Sequence, residues 1–151
     1  MQKQTGIEYI SLERSFCGPA IPNMHRFVSQ RFPEDPQPKE EELTSEKIVA
    51  RGVEEGASRA DDAAVSLLVK IYSAAIANHI VHHMSTGGLY LVGSITNSLL
   101  PRLKDKDILA AFRKRHPEVA NVVEQTPLLV CKEIDLGLKG AYFVARNILL
   151  E

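Results

Sequence analysis

The chain contains no tryptophan and only two cysteines, and aromatic residues make up just 6% of it. Cys17 and Cys131 are far apart and match no zinc or redox spacing. Two small, reduced, inward-facing side chains are therefore expected, rather than a metal knuckle or a disulfide framework. An excess of one charge is also lacking: 18 Lys and Arg face 19 Asp and Glu, for a net charge of -1 at pH 7. That balance argues against a broad basic face for nucleic acid. Nor is there an uninterrupted hydrophobic run. In "AAVSLLVKIYSAAIANHIVHHM", Lys70, Asn78, His79, His82 and His83 break the apolar sequence, which implies a core helix and no membrane span. The opening "MQKQTGIEYI" lacks the charged-then-apolar order of a signal peptide. A cytoplasmic location is expected, or an organellar one if a targeting terminus has been trimmed.

What is present suits one globular domain. The 151 residues are 44% hydrophobic and 25% charged, and a chain of this size buries roughly 70% of its unfolded surface without disulfides or metal. The stretch from Gly6 to Phe32 reads as alternating apolar residues, a turn at Gly18 and Pro19, and a helix, with Ser11 placed to cap a short helix near Leu12. "PEDPQPKEEELTSEK" is too rich in proline and acid to enter a core and reads as a solvated loop. Thr44 or Ser45 caps a helix carrying Ile48, Val49 and Val53.

Ser58, three residues before Asp61, predicts the start of a long helix over about 59–84, with acid in its first turn where the dipole favours it. It is apolar around most of its circumference, so it should be buried on more than one side. Gly87 and Gly88 are expected to end it. "LYLV" then reads as a short central strand, and a helix is expected to begin between Asn97 and Leu100. "RLKDKDILAAFRKR" reads as one or two exposed helices with Ile108, Leu109 and Phe112 inward. "TPLLVCKE" reads as a second buried strand, and "DLGLKGAYFVARNILL" as a closing loop and helix. The order helix, strand, helix, strand, helix implies an α/β layer.

Two glycine-bearing stretches follow those strands: Gly93 and Ser94 with Thr96 and Asn97 nearby, and Gly137, Lys139 and Gly140. Ligands of α/β folds bind beyond the carboxyl ends of the strands, and glycine there permits unusual backbone angles and close approach. Spacing alone leaves two readings open, tight turns or a nucleotide cradle, since neither the Rossmann nor the P-loop pattern is present. His79, His82 and His83 have a spacing that lets two share a metal, but no third ligand is evident. They are expected to be helix-end histidines near the negative end of the dipole.

Three stretches taken together resemble one family. "GGLYLVGSI", with a proline and arginine further on, resembles the adenosine motif of the bacterial-type glucokinases of the hexokinase–actin superfamily, which reads G-G-[VI]-[FY]-[IL]-[AV]-G-G-I. "ISLERSFCGPAIPNMHRF" is similar to that family's V-S-x-E-R-x-x-S-G-x-G-[LI]-x-N-[LI]-Y-R, and "TPLLVCKEIDLGLKGAYFVAR" to its closing strand, loop and L-x-G-A. The resemblance covers essentially the whole chain and only the C-terminal half of such an enzyme. The Asp-Gly-Gly-Thr-Asn phosphate loop, the catalytic aspartate, the Gly-Thr-Gly-Leu-Gly loop and the Gly-Glu-Gly-Gly-His sugar segment do not occur in it.

The resemblance implies the large C-terminal part of a hexokinase/ribonuclease H-like (actin-like ATPase) α/β fold, with a mixed sheet and long buried helices. It also implies one domain over 1–151. The whole enzyme would use ATP and Mg²⁺ to phosphorylate glucose, and this half would work beside an N-terminal glucokinase domain. Glu13 falls on the family's sugar-contacting glutamate. Gly93, Ser94, Asn97, Gly137 and Gly140 fall on the nucleotide side. Ser94 replaces a family glycine, and Pro101-Arg102 is displaced from the family's position. No residue of this chain matches the catalytic base, so the isolated chain is expected to be inactive. The alternatives are a non-catalytic, self-associating module of the same fold and a kinase for another hexose.

Overall fold

The computed structural model describes residues 11–104 and 108–149. Three helices form its first layer: α1 over Ala20–Ser29, α2 over Ser45–Val53 and α3 over Arg59–His83. Their boundaries follow local chemistry. Thr44 Oγ1 accepts from the Lys47 amide at 3.3 Å, and Ser58 Oγ accepts from the Asp61 amide at 3.1 Å. Both are side-chain caps on donors that the helix itself leaves unpaired. Along α1, Ile21, Met24 and Val28 recur at helical spacing and are all buried, so one stripe faces inward.

With 25 residues, α3 is about 37 Å long, and it is the spine of the domain. Its N-terminal half, through Ala64, Val65 and Leu68, packs with Ile21, Ile48, Val49 and Leu99. Its C-terminal half, through Ile76, Ala77 and Ile80, packs with Leu91, Leu109 and Val123. By length and composition alone it could cross a membrane. Its apolar residues are, however, the ones that fill these two clusters, as the expected core helix requires. The helix does not end at the glycines. Met84 turns the chain with a left-handed φ of 49°, and the Ser85 amide bonds back to the Ile80 carbonyl at 3.2 Å. Gly88, with φ of 122°, instead lets the chain pass close to Pro127, whose carbonyl oxygen would lie 3.5 Å from an added Cβ.

After α3 come β1 over Leu89–Leu91, α4 over Ser94–Ser98, α5 over Leu100–Lys104, α6 over Ala110–Arg115, α7 over Ala120–Gln125, β2 over Leu128–Val130 and α8 over Leu136–Leu149. The two strands pair in parallel, Leu89 with Leu128 and Leu91 with Val130. The α/β expectation holds in this coarse form. The expected mixed sheet does not: among the described residues there is one two-stranded parallel sheet. Among the described residues neither strand is central, because each has a partner on one side only. Leu91 is buried, whereas Tyr90 and Leu129, opposite each other on the other face, are 67% and 41% exposed. Helix α4 starts at Ser94, ahead of the expected boundary. Helix α7 adds an element to the expected order, held by Val123 at 1% exposure. Both cysteines are free and half-buried.

Candidate nucleotide and sugar site

Parallel pairing sends β1 and β2 out of the sheet side by side. The Cys131 amide donates to the Leu91 carbonyl at 2.9 Å, so the ladder holds to the last residue of β1, and the two exits lie together at its carboxyl end. Gly93 follows two residues on, with φ 120° and ψ 162°. That region is almost closed to residues bearing a Cβ. An added Cβ at Gly93 would meet nothing within 4 Å, so this glycine answers a backbone requirement and faces open space.

Helix α4 is anchored on its other side. Leu99 is fully buried and Thr96 nearly so. Thr96 Oγ1 and the Tyr72 hydroxyl share a hydrogen bond at 2.8 Å. Ser94 and Asn97, three residues apart, lie on one face of the short helix. Ser94 is exposed and Asn97 half-buried. The sequence placed Thr96 beside Gly93 and Ser94 as a neighbour of the site but did not single out Tyr72, its partner 24 residues earlier, which turns Thr96 inward.

The same tyrosine ties in the Glu13 segment. Glu13 sits in a 3-10 turn over Leu12–Ser15. Its main-chain carbonyl accepts from the Phe16 and Cys17 amides at 3.1 and 3.0 Å, and its side chain is exposed. The Phe16 ring lies 6.2 Å from that of Tyr72. Gly18 comes close to α4: a Cβ there would be 3.7 Å from Ile95 Cδ1. Phe16, Tyr72 and Thr96 thus link the turn carrying Glu13 to the helix carrying Ser94 and Asn97.

Gly137 and Gly140 correct the expected loop. Both lie in the first turns of α8, exposed, with open space where a Cβ would be. The segment before α8 is ordered by Glu133. It accepts from the Asp135 amide at 3.3 Å and pairs with Lys139, and the Lys139 ammonium holds the Glu133 carboxyl below its ordinary range. Lys139 is therefore engaged with its own chain. Arg102 is too: it bonds the Gly52 carbonyl and pairs with Asp62, closing α5 onto α2 and α3. The His79 and His83 rings are tilted against each other with centroids 4.2 Å apart.

Magnesium is normally held by one or two carboxylates together with phosphate oxygens. Among the described residues no group of three or more His, Cys, Asp or Glu could hold a metal ion, and the acid nearest the end of β2 is committed to Lys139. These residues do not fit a magnesium site, and no step is routed through one.

A bare glycine at the shared carboxyl end of parallel strands is the placement seen for nucleotide sites in α/β proteins. Over residues 1–148 the chain matches the family model described as Glucokinase, and it belongs to the glucokinase family. It is similar to the glucokinase of Nostoc sp. (strain PCC 7120), 23% identical over 94% of this chain and 46% of that protein. It is also similar to the glucokinases of Synechocystis sp. (strain PCC 6803), 23% identical over 93% of this chain and 44% of that protein, and of Nostoc punctiforme, 24% identical over 94% and 46%. The chain therefore spans about half the length of the curated relatives it matches. No solved structure matches it.

Proposed function

We propose that this chain is the C-terminal part of an ATP-dependent glucokinase with a hexokinase-like fold, which moves the γ-phosphoryl group of ATP to the 6-hydroxyl of glucose in the cytoplasm. In this reading Gly93, Ser94 and Asn97 receive the adenosine side of the nucleotide, and Gly137 and Gly140 let it approach the first turns of α8. Glu13 accepts hydrogen bonds from sugar hydroxyls, a task suited to an exposed carboxylate. The catalytic base, the magnesium ligands and most sugar contacts belong to an N-terminal half, and closure of the two halves on glucose excludes water from the transfer. The carrying observation is Gly93, bare, with positive φ and open space, at the common exit of β1 and β2.

Calorimetric titration with ADP tests this reading. The chain should bind nucleotide in the millimolar range or tighter. Ser94→Leu, which adds bulk without disturbing φ, should weaken binding by about tenfold. Absence of binding by a folded chain removes the nucleotide reading, and ATP-dependent formation of glucose 6-phosphate by the pure chain contradicts the placement of the base in another half.

A second reading, a self-associating module without catalysis, is favoured by one observation. All of α8 is exposed, including Tyr142, Phe143 and Ile148. A large uncovered apolar surface favours association. The same titration separates the two readings.

A further inference from the structure

The two segments assigned to ligands above are too short to hold themselves. Helix α4 has 5 residues and no side-chain cap, fewer than a helix needs to persist in water. The turn bearing Glu13 has 4 residues, none of them buried. Each is therefore set by the structure it rests on, and one residue of α3, Tyr72, reaches both.

Tyr72 does so with different parts of its side chain. Its hydroxyl shares the 2.8 Å hydrogen bond with Thr96 Oγ1 in α4. Thr96 is 3% exposed, and a hydroxyl at such depth needs a partner. The Tyr72 ring lies 6.2 Å from that of Phe16, tilted by 43°, a spacing at which aromatic rings attract. Phe16 and Ile95 pack with the core cluster around the N-terminal half of α3, and Tyr72 with the cluster around its C-terminal half. The tyrosine thus stands where the two halves of the core join. Beyond Phe16 the chain is fixed as well: Ser45 Oγ donates to the Gly18 carbonyl at 2.6 Å, which ties it to α2.

We propose that Tyr72 is a positioning residue: acting through Thr96 and Phe16, it holds the face bearing Ser94 and Asn97 in register with the turn bearing Glu13, so that nucleotide on α4 is felt at the sugar side. The ligands named here rest on the function proposed above; the coupling of the two segments does not. A displacement of α4 pulls on the Tyr72 hydroxyl through Thr96, and the ring carries it to Phe16, three residues from Glu13.

Amide hydrogen exchange followed by NMR tests the coupling. The Phe16 and Cys17 amides bond the Glu13 carbonyl, and the Leu99 amide bonds that of Ile95, so each segment has its own reporter. The Ile48 amide, bonded to the Thr44 carbonyl, reports on the stability of the domain. Thr96→Val alters α4 alone. It should speed exchange at Leu99 and also at Phe16 and Cys17 by about fivefold, as expected for one lost hydrogen bond, with a smaller change at Ile48. Tyr72→Phe, which keeps the ring, should have the same effect, and the two changes together should add little to either. Thr96→Ser, which keeps the hydroxyl, should retain the wild-type rates. In the wild type, ADP should shift the amides of 93–98 and of 12–17; in Tyr72→Phe it should shift only the first group. Exchange at Phe16 and Cys17 that ignores Thr96→Val, or rises no more than at Ile48, would overturn the proposal, because Tyr72 would then be only a part of the core. ADP shifts at 12–17 that persist in Tyr72→Phe would overturn it as well. Absence of ADP binding removes the nucleotide reading alone, since the exchange rates judge the coupling without a ligand.

Discussion

At Asp61 three helices meet on one carboxylate. The residue is 5% exposed. Arg51 from α2 reaches it with two nitrogens at 2.9 and 3.0 Å, and Ser58 donates to it at 2.9 Å. His25 Nε2 from α1 lies 3.3 Å away without an aligned hydrogen bond. Burial pushes the His25 imidazole below its ordinary 6.5; the Asp61 carboxylate opposes that, and Arg51 and Arg26 add to it. The unfolded chain therefore takes up this proton at a higher pH than the folded one. The contribution of the neutral imidazole is complete above pH 6.5 and is lost as pH falls through the lower folded value. Urea midpoints should accordingly be lower at about pH 5.5 than at about pH 7.5, and His25→Gln should reduce the difference. A wild-type midpoint that holds or rises on acidification contradicts this account. Met84 supplies a second test at this scale. A side chain in the left-handed region costs about 1–2 kcal/mol, and glycine avoids that cost while losing more freedom on folding. Met84→Gly should raise stability by about 0.5–1 kcal/mol in a thermal melt.

Between elements, the closest approach is that of α2 to α3 at Gly52. A Cβ there would lie 2.4 Å from Val65 Cγ2 and 2.8 Å from the Asp61 main-chain oxygen. The valine methyl can shift, but the oxygen belongs to the first turn of α3 and is fixed. Alanine would improve helix propensity by about 0.5–1 kcal/mol, less than the strain of separating the helices. Gly52→Ala should therefore destabilise the domain by about 1–2 kcal/mol net, read as a lower urea midpoint with an unchanged slope. Helix caps and the spine were legible in the sequence because their causes are local: Thr44 and Ser58 act within three residues, and the apolar surface of α3 is continuous. Asp61 was legible only as a first-turn acid, since its partners arrive from 10 and 36 residues earlier. The tie from Phe16 through Tyr72 to Thr96 was hidden for the same reason. The turn at Met84 was hidden because two nearby glycines offered the better local signal. In the candidate site, Gly93 could be read from its place after an apolar strand. Gly137 and Gly140, in a segment flanked by acid and glycine, suggested a loop where the chain forms helix.

At the scale of the whole molecule, the apolar surface of the described residues is not closed. Along α8, Leu138, Tyr142 and Leu149 fall in one row and Val144 and Ile148 in another, with Gly137, Ala141 and Ala145 between them. Of the large residues, Tyr142, Phe143 and Ile148 are 68%, 64% and 67% exposed. Tyr90, Val92 and Leu129 leave one face of the sheet uncovered as well. Parallel strands are ordinarily covered on both faces, and two strands alone are marginal. Covering each large side chain contributes about 1.5–3 kcal/mol, so several together outweigh the entropic cost of bringing two bodies together. The chain spans about half the length of its relatives, and an N-terminal half is the natural cover for this surface in the function proposed above. By itself, the chain should meet the same need with a second copy. Sedimentation velocity is expected to show dimers or larger species growing with concentration, and Phe143→Lys with Ile148→Lys should return the chain to monomer. Both side chains are exposed, so thermal stability of the monomer should change little. A chain that stays monomeric at every concentration and binds no apolar dye would mean that this surface is content with water, and the case for a covering partner would fall with it.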